Sequence, residues 1–262
     1  MQEQDYLNFA KDLAEKAGEI MRKNFMLGMT KEWKQDNTPL TVTDTAINEL
    51  VIQGVKAKFP DHGVLGEEDS FATDKEMLWV VDPVDGTMPF SHGVPASTFS
   101  LALVKNGQPI VAAVEEPFIG RTYWATKGGG AFVNGDKLRV NDQEQLGPQV
   151  FIDIDARFVL DGFDSLAVMR ELAASDVRVS KSFSVVYYSL PVVSGNYAAC
   201  VAFIEYPWDG AAISLIATEA GGKVTDLHGK ERRWDEPGSG FIVSNGRIHD
   251  TLLDILKRTR LS

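Results

Sequence analysis

Trp79-Val80-Val81-Asp82-Pro83-Val84-Asp85-Gly86-Thr87 begins as an apolar run and ends as a polar turn. Residues 78–81 suit a buried strand, and Pro83, which has no amide hydrogen to donate, is expected to end its regular pairing. Asp82 and Asp85 leave that strand three residues apart with the proline bend between them. Both carboxylates can therefore point to one side, and the Val84 carbonyl can join them as a third oxygen. Hard divalent cations take such oxygen ligands, and magnesium completes its shell with water or phosphate. Gly86 lets the backbone approach an anion, and the amides of Gly86 and Thr87 can donate to phosphate oxygens. An Asp-Pro turn followed by an Asp-Gly turn accounts for the same residues without any ion.

Upstream, Tyr6, Phe9, Leu13, Ala17, Ile20 and Phe25 recur at spacings near three and four, which predicts an amphipathic helix. Ile47, Leu50, Val51 and Val55 predict a second helix over 44–58. The polar stretch 34–39 between them reads as a loop. Downstream, apolar runs at 99–104 and 110–114 flank Asn106-Gly107, a pair suited to the positive φ angles of a tight hairpin. Runs at 123–125 and 131–133 flank three glycines as another strand pair. The first half thus reads as helices followed by an extensive antiparallel sheet. After Pro148, strands are expected at 150–154, 177–180, 199–204 and 241–244. Helices alternate with them at 163–173, 184–193, 209–220 and 248–256, and Gly221-Gly222 stops the third of these. The class is mixed α/β, with a boundary near residue 145 dividing 1–145 from 146–262.

Composition narrows the function. The chain has 262 residues, with 26 Lys and Arg against 37 Asp and Glu, for a net charge of −11. That balance argues against a nucleic-acid binder, which carries excess base. An apolar fraction of 44% excludes disorder as the main state. No run approaches the roughly 18 to 20 apolar residues of a membrane helix, so no membrane partner is expected. The opening Met1-Gln2-Glu3-Gln4-Asp5 is polar and acidic where a secretion signal is basic and then apolar. Cys200 stands alone, so an internal disulfide and a Cys-built zinc site are excluded. A cytoplasmic protein is expected.

Two further acidic segments stand out. Leu65-Gly66-Glu67-Glu68-Asp69 sets three acids in succession, which a solvated loop or a bound metal would relieve. Trp208-Asp209-Gly210 puts an Asp at a predicted helix start, where it is an N-cap or the anchor of a cation whose phosphate the helix end attracts. The four histidines lack zinc-like spacing and read as surface or structural residues. Only His92 lies near the central motif, where it could touch a substrate. Cys200 reads as core, and Trp79 and Trp208 as braces for the acid-bearing segments. Lys34 is a solvated loop charge or a neighbour of the metal loop.

In combination and in order, Gly66-Glu67-Glu68, Asp82-Pro83-Val84-Asp85-Gly86-Thr87 and Trp208-Asp209 through Glu219-Ala220-Gly221-Gly222 resemble the inositol monophosphatase family of lithium-sensitive, magnesium-dependent phosphatases. Lys34 and Thr38 to Asp44 resemble its upstream segment. The resemblance implies a layered α-β-α-β-α sandwich of the inositol monophosphatase and fructose bisphosphatase type, with the site where the two halves meet. It implies Glu67, Asp82, Asp85, Asp209 and the Val84 carbonyl as ligands of two or three Mg²⁺ ions, for which Mn²⁺ can substitute. Thr87, supported by Asp44, would orient and help deprotonate the attacking water, Glu67 would share in catalysis, and Glu68 would position a further metal or its waters. Glu205 falls where members contact substrate hydroxyls. The implied reaction is hydrolysis of a small phosphorylated metabolite, an inositol-1-phosphate-like monoester, by in-line attack of metal-activated water. A homodimer is common among relatives.

Three departures bear on the substrate. Met88-Pro89-Phe90 stands where the family often has Asn-Phe. Residues 91–95 and Thr38-Pro39 look like the histidinol-phosphatase branch. Ser182-Phe183-Ser184-Val185 replaces a small-residue segment that contains glycine. Histidinol-phosphate phosphatase is the alternative, followed by bisphosphate nucleotidase and fructose-1,6-bisphosphatase. A catalytically silent partner-binding protein of the same fold is the reading from a different class.

Overall fold

The computed structural model of the chain describes residues 3–26, 28–35, 37–155 and 157–261. Met1 and Gln2 of the opening segment and Asp36 of the first expected loop lie outside the described residues. Helices α1 (Glu3–Asn24) and α2 (Val42–Lys58) form the first layer, with a short hairpin, β1 (Glu32–Trp33) and β2 (Pro39–Leu40), between them. The helix expected to reach Phe25 stops at Asn24. Thr41 caps α2 in a capping box with Asp44: the Thr41 side chain accepts from the Thr43 amide, and Asp44 accepts from the Thr41 amide, which satisfies donors the helix start leaves free.

The first sheet runs in chain order through β3 (Gly63–Gly66), β4 (Met77–Asp85), β5 (Thr98–Lys105), β6 (Gln108–Glu116), β7 (Arg121–Thr126), β8 (Gly130–Val133) and β9 (Asp136–Lys137). All pairings are antiparallel except β3 with β4. The β5–β6 hairpin forms as expected, with Asn106 at φ 53° and Gly107 at φ 80°. The period of two along these strands feeds two cores. Trp79, Val81, Phe99, Leu101, Leu103, Val111 and Ala113 face α1 and α2, whereas Leu78, Val80, Ala102, Val104, Ala112 and Val114 face the interior of the sandwich.

Pro83 does not end β4. Asp82 pairs with Ser100 and Asp85 with Thr98, so three steps on β4 oppose two on β5. The extra residue is a bulge, and a proline fits there because no ladder donor is needed. Without it, Asp82 and Asp85 would fall on opposite faces; the one-residue slip brings both to the interior. A short helix, α3 (Thr87–Ser91), follows at once, and Gly86 enters it at φ 82°. The motif thus contains a strand, a bulge and a helix start where an apolar run and a turn were expected.

The second sheet is built from β10 (Phe151–Asp155), β13 (Arg178–Ser182), β14 (Ala199–Ala202), β15 (Lys223–Thr225) and β16 (Phe241–Ser244), in the order β13-β10-β14-β16-β15. A small hairpin, β11 (Val159–Leu160) and β12 (Phe163–Asp164), precedes α4 (Ser165–Ala174), so Phe163 belongs to a strand and Asp164 caps the helix. The remaining helices are α5 (Val185–Val193), α6 (Ala211–Glu219) and α7 (His249–Arg258). Helices α5 and α6 lie between the two sheets, and α4 and α7 cover the far face of the second, which completes the layered α-β-α-β-α sandwich. At the end of α6, Glu219 accepts the amides of Gly128 and Gly130 at 2.6 and 2.8 Å, fastening this helix to the β7–β8 turn of the first sheet. No helix among the described residues is long and apolar enough to cross a membrane.

Candidate active site

A cavity of about 330 Å³ opens at the junction of the two sheets, lined by Glu67, Asp82, Val84, Asp85, Gly86, Thr87 and Asp209 among others. Its acids come from the end of β3, the bulge of β4 and the turn before α6. Asp82, Asp85 and Asp209 are buried, and each offers a carboxylate oxygen within 4.8 Å of the others. Burial raises all three carboxyls above the ordinary carboxylate range, and Glu67 pushes Asp82 and Asp209 up further. On Asp85, donors oppose this rise. Oδ2 takes the Thr98 hydroxyl at 3.1 Å, the Tyr187 amide at 3.0 Å and the Ser184 hydroxyl, which locks the carboxylate to the start of α5.

Asp209 is not an N-cap. The cap position of α6 is Gly210, no side chain caps the helix, and Asp209 Oδ2 is buried with no hydrogen-bond partner among the described residues. Gly210 is required by space, since a Cβ there would lie 2.2 Å from the Trp234 ring. Trp234 in turn carries the Arg232 guanidinium 4.6 Å above it. Burial lowers Arg232 to about 10, and its guanidinium donates to the carbonyls of Glu205 at 2.6 Å and Gly240 at 3.2 Å. The Asp209 turn therefore rests on a rigid floor.

The acid run after β3 is not a solvated loop. Glu67 and Glu68 have side-chain exposures of only 22% and 10%, and Lys34 Nζ bridges them at 2.9 and 2.5 Å. Lys34 is therefore part of the site, not a solvated charge. Burial opposes its protonation, but Glu67 and Glu68 outweigh this and push it up. Burial and the Glu67 charge lift Glu68 to about 7. Glu67 lines the cavity beside the close-packed triad, held by Lys34.

Thr87 Oγ1 lies 3.1 Å from Asp44 Oδ1 and 3.0 Å from the Val84 carbonyl, with its hydroxyl as donor. The two Asp44 oxygens divide their work: Oδ2 caps α2 and Oδ1 meets Thr87. Burial, opposed by the Thr41 donors, raises Asp44 to about 6.

Glu205 is half-buried and is not among the cavity-lining residues; its neighbours Ile204 and Tyr206 are. His92 is exposed, bonded to Lys31 and the Met88 carbonyl, and is likewise not in the lining. His62 takes the Trp79 indole N–H and His249 bonds Thr225 and Ser244, both buried. Cys200 is core, and Trp79 packs among Tyr6, Phe9 and Phe59. The cavity adds Asp155, Arg157 and Tyr206, residues the sequence reading did not single out, and Phe183 and Val185 of the segment that departs from the family pattern also line it. Asp155 had a signal: in Phe151-Ile152-Asp153-Ile154-Asp155 the two isoleucines enter the outer core, so both aspartates must face inward.

An oxygen-only donor set with an unpartnered buried carboxylate oxygen fits a hard divalent cation. Buried carboxylates lacking a counter-ion are costly, and an ion among them removes that cost. Comparisons with known proteins agree. The model of the "Inositol monophosphatase family" matches residues 2–260. A histidinol-phosphatase of Chlorobaculum parvum is 32% identical over 94% of this chain and 95% of its own length. A fructose-1,6-bisphosphatase/inositol-1-monophosphatase of Thermotoga maritima is 31% identical over 96% of each chain. A solved Thermotoga maritima IMPase superposes with a TM-score of 0.87 at 29% identity, covering 97% of this chain and 98% of its own. Matched end to end by the family model and by relatives above 30% identity, the chain belongs to the inositol monophosphatase family of phosphoric monoester hydrolases.

Proposed function

We propose that this chain hydrolyses a small phosphate monoester, with inositol 1-phosphate among its substrates, in a reaction that depends on divalent metal. The observation that carries the reading is the buried Asp82–Asp85–Asp209 triad, with its unpartnered Asp209 oxygen, lining one cavity with the Thr87 that bonds Asp44. The ligands would be Glu67, Asp82, Asp85, Asp209 and the Val84 carbonyl, which has a second lone pair beside the one Thr87 occupies. Magnesium, as two or three ions, is the natural occupant, and manganese can replace it. When bound, the ions supply charge stabilisation to the attacking and leaving oxygens.

The chain's own groups do the positioning. Thr87 donates its proton toward Asp44 Oδ1 or the Val84 carbonyl, which leaves its oxygen lone pairs to accept a hydrogen from the attacking water and orient it. Asp44 holds that threonine in place because its own second oxygen is fixed in the α2 cap. Gly86 and Thr87 supply backbone donors to the phosphate. Lys34 and Glu68 set the position of Glu67 from behind. Glu205 acts through its carbonyl, clamped by Arg232, and the alcohol contacts fall to residues in the cavity lining. Residues 1–145 thus bring most of the ligands, and 146–262 bring Asp209 and the alcohol side. Lithium inhibition, a homodimer and a cytoplasmic setting belong to the same proposal. Histidinol phosphate is the second reading, favoured by the aromatic lining near Tyr206.

Phosphate release from inositol 1-phosphate, measured with and without magnesium, tests the proposal. Activity is expected only with the metal, and Asp85→Asn is expected to remove it while the far-UV circular dichroism stays unchanged. Metal-independent release, or full activity in Asp85→Asn, would sink it.

A further inference from the structure

Asp209 is the acid of the triad that the second half of the chain supplies, and its own turn does little to hold it. Residues 203–210 join β14 to α6. Within them, the amides of Gly210 and Ala211 share the Pro207 carbonyl at 3.2 and 2.9 Å, and no side chain caps the helix that follows. Bonds from outside fix where the turn sits. Phe203 donates its amide to Asp155 at 2.7 Å, and the 232–240 segment supplies others. Arg232 Nη2 donates to the Glu205 carbonyl at 2.6 Å, and Nη1 donates to the Ile204 and Gly240 carbonyls at 3.4 and 3.2 Å. The Gly238 amide gives Glu205 a second donor at 2.8 Å.

Downstream of Asp209 the same guanidinium acts through a ring. It lies 4.6 Å over Trp234, and that ring fills the space a Cβ on Gly210 would need. Arg232 thus braces the chain on both sides of Asp209. The brace has a fixed origin. Gln108 Nε2 donates to the Arg232 carbonyl at 3.3 Å, and the Trp234 amide donates to the Gly107 carbonyl at 2.9 Å. Gly107 and Gln108 belong to the β5–β6 hairpin, and β5 pairs with the strand that carries Asp82 and Asp85. The acid near one sheet is thereby registered against the two on the other.

This arrangement is costly. Arg232 is 6% exposed, its guanidinium bonds go to backbone carbonyls, and Nε is buried with no hydrogen-bond partner among the described residues. A buried cation without a contacting acid costs stability, and an apolar side chain of like volume would cost less. A filled core alone would not call for a guanidinium here. A rigid planar fork of donors is what carbonyls at the ends of two strands require.

We propose that Arg232 is a positioning residue for the metal cage: by fixing the turn over 204–210 it holds the Asp209 carboxylate where Asp82 and Asp85 meet it, and so sets the affinity for the divalent ion. The inference rests on the metal-dependent reading above and extends it to a residue outside the cavity lining.

Two measurements on the full chain test it. Amide hydrogen exchange in the metal-free protein is expected to show residues 203–211 opening faster in Arg232→Met than in wild type, with the α7 amides unchanged. Calorimetry with magnesium chloride is expected to show a Kd raised about tenfold in Arg232→Met, the order seen when a group that orients a metal ligand is lost. Arg232→Lys keeps the charge but not the fork, and an intermediate Kd is expected. Arg233→Met, at the neighbouring exposed arginine, controls for net charge and should leave the Kd unchanged. At saturating magnesium, kcat is expected to stay near wild type. A lower melting temperature with an unchanged magnesium Kd would make Arg232 scaffold alone and overturn the proposal. A tighter Kd in Arg232→Met would overturn it too, since the guanidinium would then act as a repelling charge. If Arg232→Met does not fold, Arg232→Lys decides by the same outcomes. No magnesium binding by the wild type would sink the metal-dependent reading and this inference with it. Weakened binding in Arg232→Met, in a chain that releases no phosphate, would sink the reaction and keep the brace.

Discussion

Two groups of buried aspartates lie in the interior of this sandwich, and they differ in how close their carboxylates come to one another. Asp153 and Asp155 on β10 are surrounded by donors: Ser180 and Ser182 serve the first, and the Arg157 and Phe203 amides serve the second. Asp82, Asp85 and Asp209 crowd together with one oxygen unpartnered. Burial alone therefore does not mark a functional acid. What sets the second group apart is that three carboxylates approach one another, with Asp209 Oδ2 left short of a partner even though Asp85 is well supplied with donors.

The comparison can be broken experimentally. The largest effect is expected from Asp209→Asn, which should lower magnesium-dependent phosphate release on the order of a thousandfold. The same variant should raise the melting temperature without metal, because it removes a charge from a repelling cluster. A lower melting temperature would mean that Asp209 holds the fold and not an ion. Thr87→Val should cost on the order of a hundredfold in kcat, and it should keep the metal-induced thermal shift, since Thr87 is no ligand; loss of that shift would move it into the cage.

Magnesium itself should stabilise the wild-type chain by about 2 to 3 kcal/mol at a hundred times its Kd, with no gain in Asp209→Asn. A chelator should reverse the gain. An equal gain in both proteins would place the ion elsewhere.

The smallest effect is expected on the satisfied side. Asp153→Asn should leave kcat within about threefold, as a change outside the cavity does, and its signature is in pH. Burial, opposed by the Ser180 and Ser182 hydroxyls, raises Asp153 from the ordinary 3.8 to about 6. Between those values the folded state binds more protons than the unfolded chain, so this group makes stability fall as pH rises from about 4 to 6. Urea midpoints measured across that range should lose part of this slope in the Asn variant. An unchanged slope would show that Asp153 titrates normally.

The acid cage was legible because its residues cluster in short motifs, and the resemblance they carry orders them along the chain. What escaped was context. The Ile152-Asp153-Ile154-Asp155 alternation resembles a strand with one wet face, yet β10 is buried on both sides between layers, so its polar face turned inward. Asp209-Gly210 matched a helix cap because caps are set locally, whereas the demand that overrode it, Trp234 against Gly210, comes from a residue 24 positions away. Lys34 reads either as a loop charge or as a neighbour of the metal loop, because the partners that decide lie 33 and 34 residues downstream. Pro83 read as a strand end because a bulge cannot be told from a stop without the neighbouring strand. The hairpin at Asn106-Gly107, which depends on two adjacent residues alone, was read correctly.

Glu219 ties the far end of α6 to the glycine turn of the opposite sheet, while the near end of that helix follows Asp209. The far end of the helix is thereby fixed to the first sheet away from the acids, and sliding α6 along this sheet would break both amide bonds to Glu219. The acid-bearing turn at the other end is held in its own way, by Trp234 packed where any Cβ on Gly210 would stand, so α6 is pinned to the rest of the fold at both ends.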